Sequence, residues 1–190
     1  MPTSRKAAMA PTAITSLTAN TRWDFAAARR GAQALEAFEP AWLEEPLLAD
    51  DVAAHVELRR STTIPIAIGE NLYTAYQFRD AVRRGACDIV QPNVARVGGI
   101  TPFLRIAAQA RADGAVVAPH LLPDISGQLA LVLADETMVE AVEDASFAEL
   151  GVLADDGRVR VEDGALTADT GPGHGLSFHL ADNPTVERLA

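Results

Sequence analysis

Polar side chains recur where short apolar, β-rich runs end: Thr18, Glu44, Glu70, Asn93 and His120 stand 23 to 27 residues apart. That interval is the length of one strand, one helix and two short connections. Each run is apolar on consecutive residues, as in Ile64–Ile68 (IPIAI) and Ala115–Ala118 (AVVA). Such strands suit a parallel sheet covered on both faces. An open, doubly wound sheet gives the same spacing, but it gathers its ligand at one switch point between two strands. Here every run ends in a candidate functional group, and side chains from many strand ends converge only at the C-terminal mouth of a (β/α) barrel. The expected fold is therefore α/β, a (β/α) barrel with parallel strands.

The elements follow from local chemistry. Strands are expected at Ala13–Thr18, Ala41–Leu43, Ile64–Ile68, Asp88–Val90 and Ala115–Ala118. Asp24 caps a helix running to about Phe38, and a second helix covers Asp51–Arg60. Thr74 caps a third helix, with Phe78, Ala81 and Val82 on one face and Gly85 as its stop. Thr101-Pro102 opens a fourth with proline at its first position, and Phe103, Ile106, Ala107 and Ala110 face inward. A fifth covers Ser126–Ala134. Residues 1–13 read as a flexible leader, 14–150 as the barrel, and 151–190 as an irregular tail rich in Gly, Asp and Pro, with short β-like pieces at Val159–Val161 and Leu176–Phe178, that lies on the outside or on a neighbouring domain.

Composition excludes several classes. A net charge of −10 argues against nucleic acid, whose phosphates need a basic face. No apolar run approaches the roughly 18 to 20 residues of a membrane-spanning helix. The opening MPTSRKAAMAPTA has charge but no continuous apolar stretch, so it fails as a secretory signal. Cys87, the single cysteine, reads as a small buried hydrophobe of a cytoplasmic protein. Lys6 is the only lysine, so no strand of this chain carries a lysine base. No GxGxxG or P-loop pattern follows any strand, and Arg96-Val97-Gly98-Gly99 reads as a loop.

Five motifs in register carry a resemblance. Trp42-Leu43-Glu44-Glu45-Pro46, Ile68-Gly69-Glu70-Asn71, Gln91-Pro92-Asn93-Val94 with Gly98-Gly99-Ile100-Thr101, Pro119-His120 and the Gly171-Pro172-Gly173-His174-Gly175-Leu176 tail resemble the barrel domain of the enolase superfamily, in its mandelate racemase and muconate lactonizing enzyme group. The resemblance runs from about Ser16 into the tail. It implies metal-assisted proton abstraction next to a substrate carboxylate, a lyase (dehydratase) or isomerase (racemase) chemistry on molecules such as acid sugars. The dianionic enediolate so formed needs concentrated positive charge, which Mg²⁺ held by hard carboxylate oxygens supplies.

Residue by residue, the resemblance makes Glu44 and Glu70 metal ligands, with Glu45 the fallback for Glu44 because adjacent strand residues face opposite ways. His120 takes the place of the general base. Glu140 takes that of a late acidic residue that bonds the substrate carboxylate, and Glu143 lies one helical turn away. His55, His174 and His179 match nothing and read as surface histidines.

Three departures weaken the expected chemistry. The first metal ligand of the family is an aspartate in an Asp-Ala-Asn triplet; here the triplet is Thr18-Ala19-Asn20, and a neutral hydroxyl binds Mg²⁺ poorly. Metal binding is expected to be weak or lost. The aspartate that pairs with the histidine is Asn93, which orients the ring but cannot stabilise imidazolium by charge. The capping domain and the first two barrel strands, with their Lys-x-Lys motif, have no counterpart, so the resemblance implies a partial (β/α)8 TIM-type barrel of about six βα units, with the tail packed on it or on a missing cap. Open edges then call for a second copy or a partner to cover them. Two functions follow as expectations: an impaired Mg-dependent dehydratase or racemase, or a non-catalytic family member that self-associates or binds a partner. An open α/β binding protein of flavodoxin-like form is the third class.

Overall fold

The computed structural model describes residues 5–6, 16–133, 138–140, 142, 146–155, 157–162, 164–169 and 171–179. The elements in chain order are β1 (Arg5–Lys6), β2 (Ser16–Thr18), α1 (Phe25–Leu35) with a 3-10 turn at Glu36–Phe38, β3 (Trp42–Glu44), α2 (Val52–Arg60), β4 (Ile66–Ile68), α3 (Ala75–Arg84), β5 (Ile89–Val90), α4 (Ile100–Ala112), β6 (Val116–Val117), α5 (Pro123–Val132), β7 (Val159–Glu162) and β8 (Ala165–Ala168). The chain divides into two compact units, Ala10–His120 and Met1–Met9 with Leu121–Ala190.

The first unit holds one parallel sheet in the order β2-β3-β4-β5-β6, so sequence order and spatial order coincide. Each of β2 to β5 is followed by a helix and then by the next parallel strand, so the βα crossover unit repeats along the sheet. Burial follows position in the sheet. Every residue of β3, β4 and β5 is buried, whereas Ser16, Thr18 and Val116 on the two outer strands are exposed. This is a partial TIM-type barrel, with five parallel strands among the described residues where about six units were expected. Its core is Leu43, Ile66, Ile68 and Val90 from the sheet against Leu58, Phe78, Phe103 and Ile106 from the helices.

The helices begin and end for local reasons. Asp24 and Asp51 cap α1 and α2 by accepting from Ala27 N and Ala54 N at 2.7 and 3.0 Å. Thr74 and Gln77 form a reciprocal capping box on α3, and Gly85 closes that helix at φ +75°. Two starts differ from expectation. Helix α4 begins at Ile100 behind Gly99, which puts Pro102 at its third position; the first-turn N–H groups have no intrahelical acceptor, so the proline costs no bond. Helix α5 begins at Pro123, three residues before the expected Ser126, because a proline at the first helical position is already preset in φ.

The second unit contains α5 and a small antiparallel sheet, β1-β8-β7. The tail holds a hairpin, Val159–Glu162 against Ala165–Ala168, whose first strand contains the β-like piece expected at Val159–Val161, plus a bridge between Leu153 and Phe178, the latter in the piece expected at Leu176–Phe178. Arg5–Lys6, inside the expected leader, pairs with β8. The remaining leader, the residues 13–15 expected to start β2, Ala134 and Glu143 lie outside the described residues. No helix among the described residues is long and apolar enough to cross a membrane.

His55 departs from its expected surface position. It is fully buried on α2, where its Nδ1 lies 3.0 Å from the Asp51 carbonyl. Helical spacing explains the error. His55 and Leu58 sit three residues apart and share the inward face, a pattern that the sequence shows but that a polar side chain masks.

Candidate active site

The C-terminal ends of β3, β4, β5 and β6 carry a cluster of buried polar side chains. Trp42 and Glu44 are two residues apart on β3 and so project to the same face. The Trp42 indole Nε1 donates to Glu44 Oε2 at 3.2 Å, and Gln91 Nε2 donates to the same oxygen at 2.7 Å. Glu44 is only 7% exposed, so these bonds replace the water it has lost. Gln91 is buried as well, and its Oε1 has no hydrogen-bond partner.

Two residues beyond Gln91, Asn93 begins a second chain of bonds. Asn93 Oδ1 accepts from the backbone N–H of Ala95 at 3.0 Å and of Arg96 at 3.2 Å. Its Nδ2 stands 3.0 Å from His120 Nδ1. On the far side of the ring, His120 Nε2 lies 2.9 Å from Glu70 Oε2. Glu70 Oε1 accepts from Asn71 Nδ2 at 3.1 Å, and Arg96 Nη1 donates to the Glu70 carbonyl and to Asn71 Oδ1 at 2.7 and 2.8 Å. The hydrogen bond from His120 holds the Glu70 carboxyl below its usual range, and the Arg96 charge adds to this.

Glycine at position 69 is what allows β4 and β5 to approach so closely. Its φ of +137° suits no side chain, and an added Cβ would stand 2.8 Å from Gln91 N and 2.9 Å from Phe78 Cε1. Its N–H donates to Glu45 Oε1 at 2.9 Å. Glu45 itself sits at φ +40°, is 1% exposed, and has no hydrogen-bond partner at Oε2. Burial raises its carboxyl above the ordinary range; the Gly69 N–H opposes this shift and the neighbouring Glu70 charge adds to it.

Of the residues singled out from the sequence, Glu70, Asn93 and His120 are brought into one hydrogen-bonded chain, with Glu44 joined through Gln91 two residues before Asn93. Thr18 pairs with Glu44 across the β2–β3 ladder, but its side chain is exposed and its Oγ1 accepts from Asn20 N at 3.2 Å. Glu140 belongs to the second unit, where its Oε2 accepts from Leu121 N at 3.2 Å. Gln91 and Trp42 stood in the motifs and Arg96 in a loop, but none was given a role in the site. The period of two gave a signal for the first two, since Gln91 lies two before Asn93 and Trp42 two before Glu44.

The donor set does not fit a three-carboxylate magnesium cage. Hard divalent cations of this size need several oxygen ligands, preferably charged. The position paired with Glu44 offers a neutral hydroxyl, and Glu70 is already engaged by His120 and Asn71. Among the described residues no group of three or more His, Cys, Asp or Glu side chains is placed to hold a metal ion.

Comparison with known proteins gives one consistent answer. The profile of the "Enolase C-terminal domain-like" family matches residues 6–182. The chain is 34% identical over 172 residues to the 3,6-anhydro-alpha-L-galactonate cycloisomerase of Streptomyces coelicolor, covering 90% of this chain and 45% of that protein. It is 35% identical over 166 residues to the L-talarate/galactarate dehydratase of Salmonella typhimurium, covering 86% and 39%. Among solved structures, an L-talarate dehydratase from a Polaromonas species, complexed with Mg and L-glucarate, superposes with a TM-score of 0.77 at 36% identity, covering 86% of this chain and 44% of that one. The chain spans less than half the length of these relatives. On the family match, the parallel fold and these likenesses, the chain belongs to the enolase superfamily, as a C-terminal barrel domain of the mandelate racemase and muconate lactonizing enzyme kind.

Proposed function

We propose that this chain is an acid-sugar-type enolase-superfamily domain, dehydratase or racemase in class, in which magnesium-assisted proton abstraction next to a carboxylate is impaired. The observation that carries this reading is the bonded chain Asn93–His120–Glu70, with Thr18 standing where the family places a carboxylate. Glu44 and Glu70 would hold the metal, and Mg²⁺, when bound, supplies positive charge for the enediolate. With a hydroxyl at Thr18 and two carboxylates, that charge is held weakly. His120 is the side chain of this cluster offered to the substrate, and Glu140 keeps the role the family resemblance gives it, bonding the substrate carboxylate. The substrate's carboxylate-bearing class is taken from the relatives, whose names include talarate, galactarate and anhydrogalactonate. The single buried Cys87 fits a cytoplasmic setting.

The test is turnover of an acid-sugar library in excess Mg²⁺, with the Salmonella talarate/galactarate dehydratase as reference. A well-placed acid–base group contributes about 10²–10⁴-fold, so turnover is expected to fall below the reference by at least that factor. Turnover matching the reference, lost in His120→Ala, overturns the impairment.

A second reading is a non-catalytic family member that self-associates or binds a partner. It is favoured by the outer strands β2 and β6, which among the described residues pair on one side only and expose Ser16, Thr18 and Val116. Light scattering that finds only monomers at tens of micromolar removes it.

A further inference from the structure

The two nitrogens of His120 face groups of opposite polarity, the Asn93 amide at Nδ1 and the Glu70 carboxylate at Nε2. Backbone N–H groups can only donate, so the Asn93 side-chain atom that meets Ala95 N and Arg96 N is the carbonyl oxygen. The other atom of that amide is then the NH₂ group, and it is this group that stands 3.0 Å from His120 Nδ1. A donor there requires an acceptor on the ring, so Nδ1 carries a lone pair and Nε2 carries the hydrogen. That hydrogen points to Glu70 Oε2, 2.9 Å away, which accepts it. The bonds from Ala95 and Arg96, the Asn93 contact and the Glu70 contact all agree with this one assignment.

We propose that Asn93 is a positioning residue that locks His120 in its Nε2–H tautomer, making the ring a hydrogen-bond donor and disabling it as a base. A base at Nε2 needs that nitrogen's lone pair, which the proton occupies. Nδ1 has the lone pair but faces the amide. Placing a proton on Nδ1 would set two donors against each other at 3.0 Å, and relieving them by turning the amide over breaks both bonds from Ala95 and Arg96. Carboxylate at position 93 would have the reverse effect, accepting from Nδ1–H and freeing Nε2. His120 therefore contributes a directed N–H to Glu70, or to a substrate oxygen that displaces it.

The inference deepens the proposed function and rests on its placing of His120 in the site, but it is read without substrate, turnover or metal. The experiment is long-range ¹H–¹⁵N correlation on the uniformly ¹⁵N-labelled chain, at about pH 8, above the ordinary histidine value of about 6.5. The chain has four histidines, and His120→Gln identifies the signals that belong to this one. His55 is an internal reference of opposite sense, because the Asp51 carbonyl can only accept, which puts its proton on Nδ1.

The expected result is a pyridine-type Nδ1 and pyrrole-type Nε2 for His120, with His55 reversed. In Asn93→Asp, nearly identical in shape, His120 Nδ1 moves to the pyrrole-type end. A proton on Nδ1 of His120 in the unmodified chain overturns the proposal, as does an unchanged pattern in a folded Asn93→Asp. Should that variant not fold, the unmodified chain's spectrum alone decides. Either result leaves the turnover comparison standing by itself.

Discussion

His55→Leu isolates a buried histidine whose protonation the fold opposes. The ring is fully buried, its Nδ1–H donates to the Asp51 carbonyl, and Nε2 has no hydrogen-bond partner. Burial lowers its pKa below the ordinary value, with the Asp51 bond opposing the shift. The sign follows directly. The unfolded chain takes up a proton below about pH 6.5 that the native ring excludes, so stability is full above that value and is lost as pH falls. If the native ring stays neutral throughout, the loss between about pH 7.5 and about pH 5.5 is at most about 1.4 kcal/mol.

Leucine removes both the titration and the orphaned acceptor, which costs about 1–3 kcal/mol where it is buried unpaired. The Asp51 carbonyl keeps its helical bond from His55 N at 3.1 Å, so the substitution leaves no acceptor bare. Urea unfolding at the two pH values measures the difference. The variant is expected to be at least as stable at the higher pH and to lose less stability at the lower one. An identical pH dependence in both proteins, or a leucine variant destabilised by more than about 2 kcal/mol at the higher pH, would refute the reasoning.

Burial pushes the Cys87 thiol up to about 12, so it should react with a thiol reagent at neutral pH only on unfolding; rapid modification of the native chain would contradict its placement. Gly69→Ala forces a Cβ against Gln91 N and Phe78, and adds a strained φ. A loss of about 1–3 kcal/mol is expected in urea unfolding, and a neutral substitution would show that β4 and β5 do not approach as described. Phe78→Ala empties a fully buried position on α3 and is expected to cost about 3–5 kcal/mol in the same assay.

The barrel was legible because its rules are local and repeated. Consecutive apolar residues marked β3 and β4 as strands covered on both faces, and Thr74 with Gly85 bracketed α3 by cap chemistry alone. Element starts at Ile100 and Pro123 were misjudged because a proline tolerates any first-turn position, so its presence marks the turn and not the residue. Of the hairpin at 159–168, the piece at Val159–Val161 was legible as β-like, whereas Ala165–Ala168 was not, because a short strand of uniform partial burial shows no alternation of two. In the site, the spacing of strand ends pointed to Thr18, Glu44, Glu70, Asn93 and His120; hydrogen bonds link Asn93, His120 and Glu70, while Glu44 is bonded to Gln91 and Trp42 and Thr18 is exposed. Gln91 was harder to see, because its role depends on a neighbouring strand's Glu44 rather than on its own sequence context.

Calorimetric titration of Mg²⁺ into the chain and into Thr18→Asp tests the central claim most directly, that the site has kept its strand-end carboxylates but lost the charge needed to grip a metal. The account predicts millimolar or undetectable binding in the unmodified chain and at least about tenfold tighter binding once a third carboxylate stands beside Glu44. Micromolar binding by the unmodified chain, indifferent to Thr18→Asp, would contradict it.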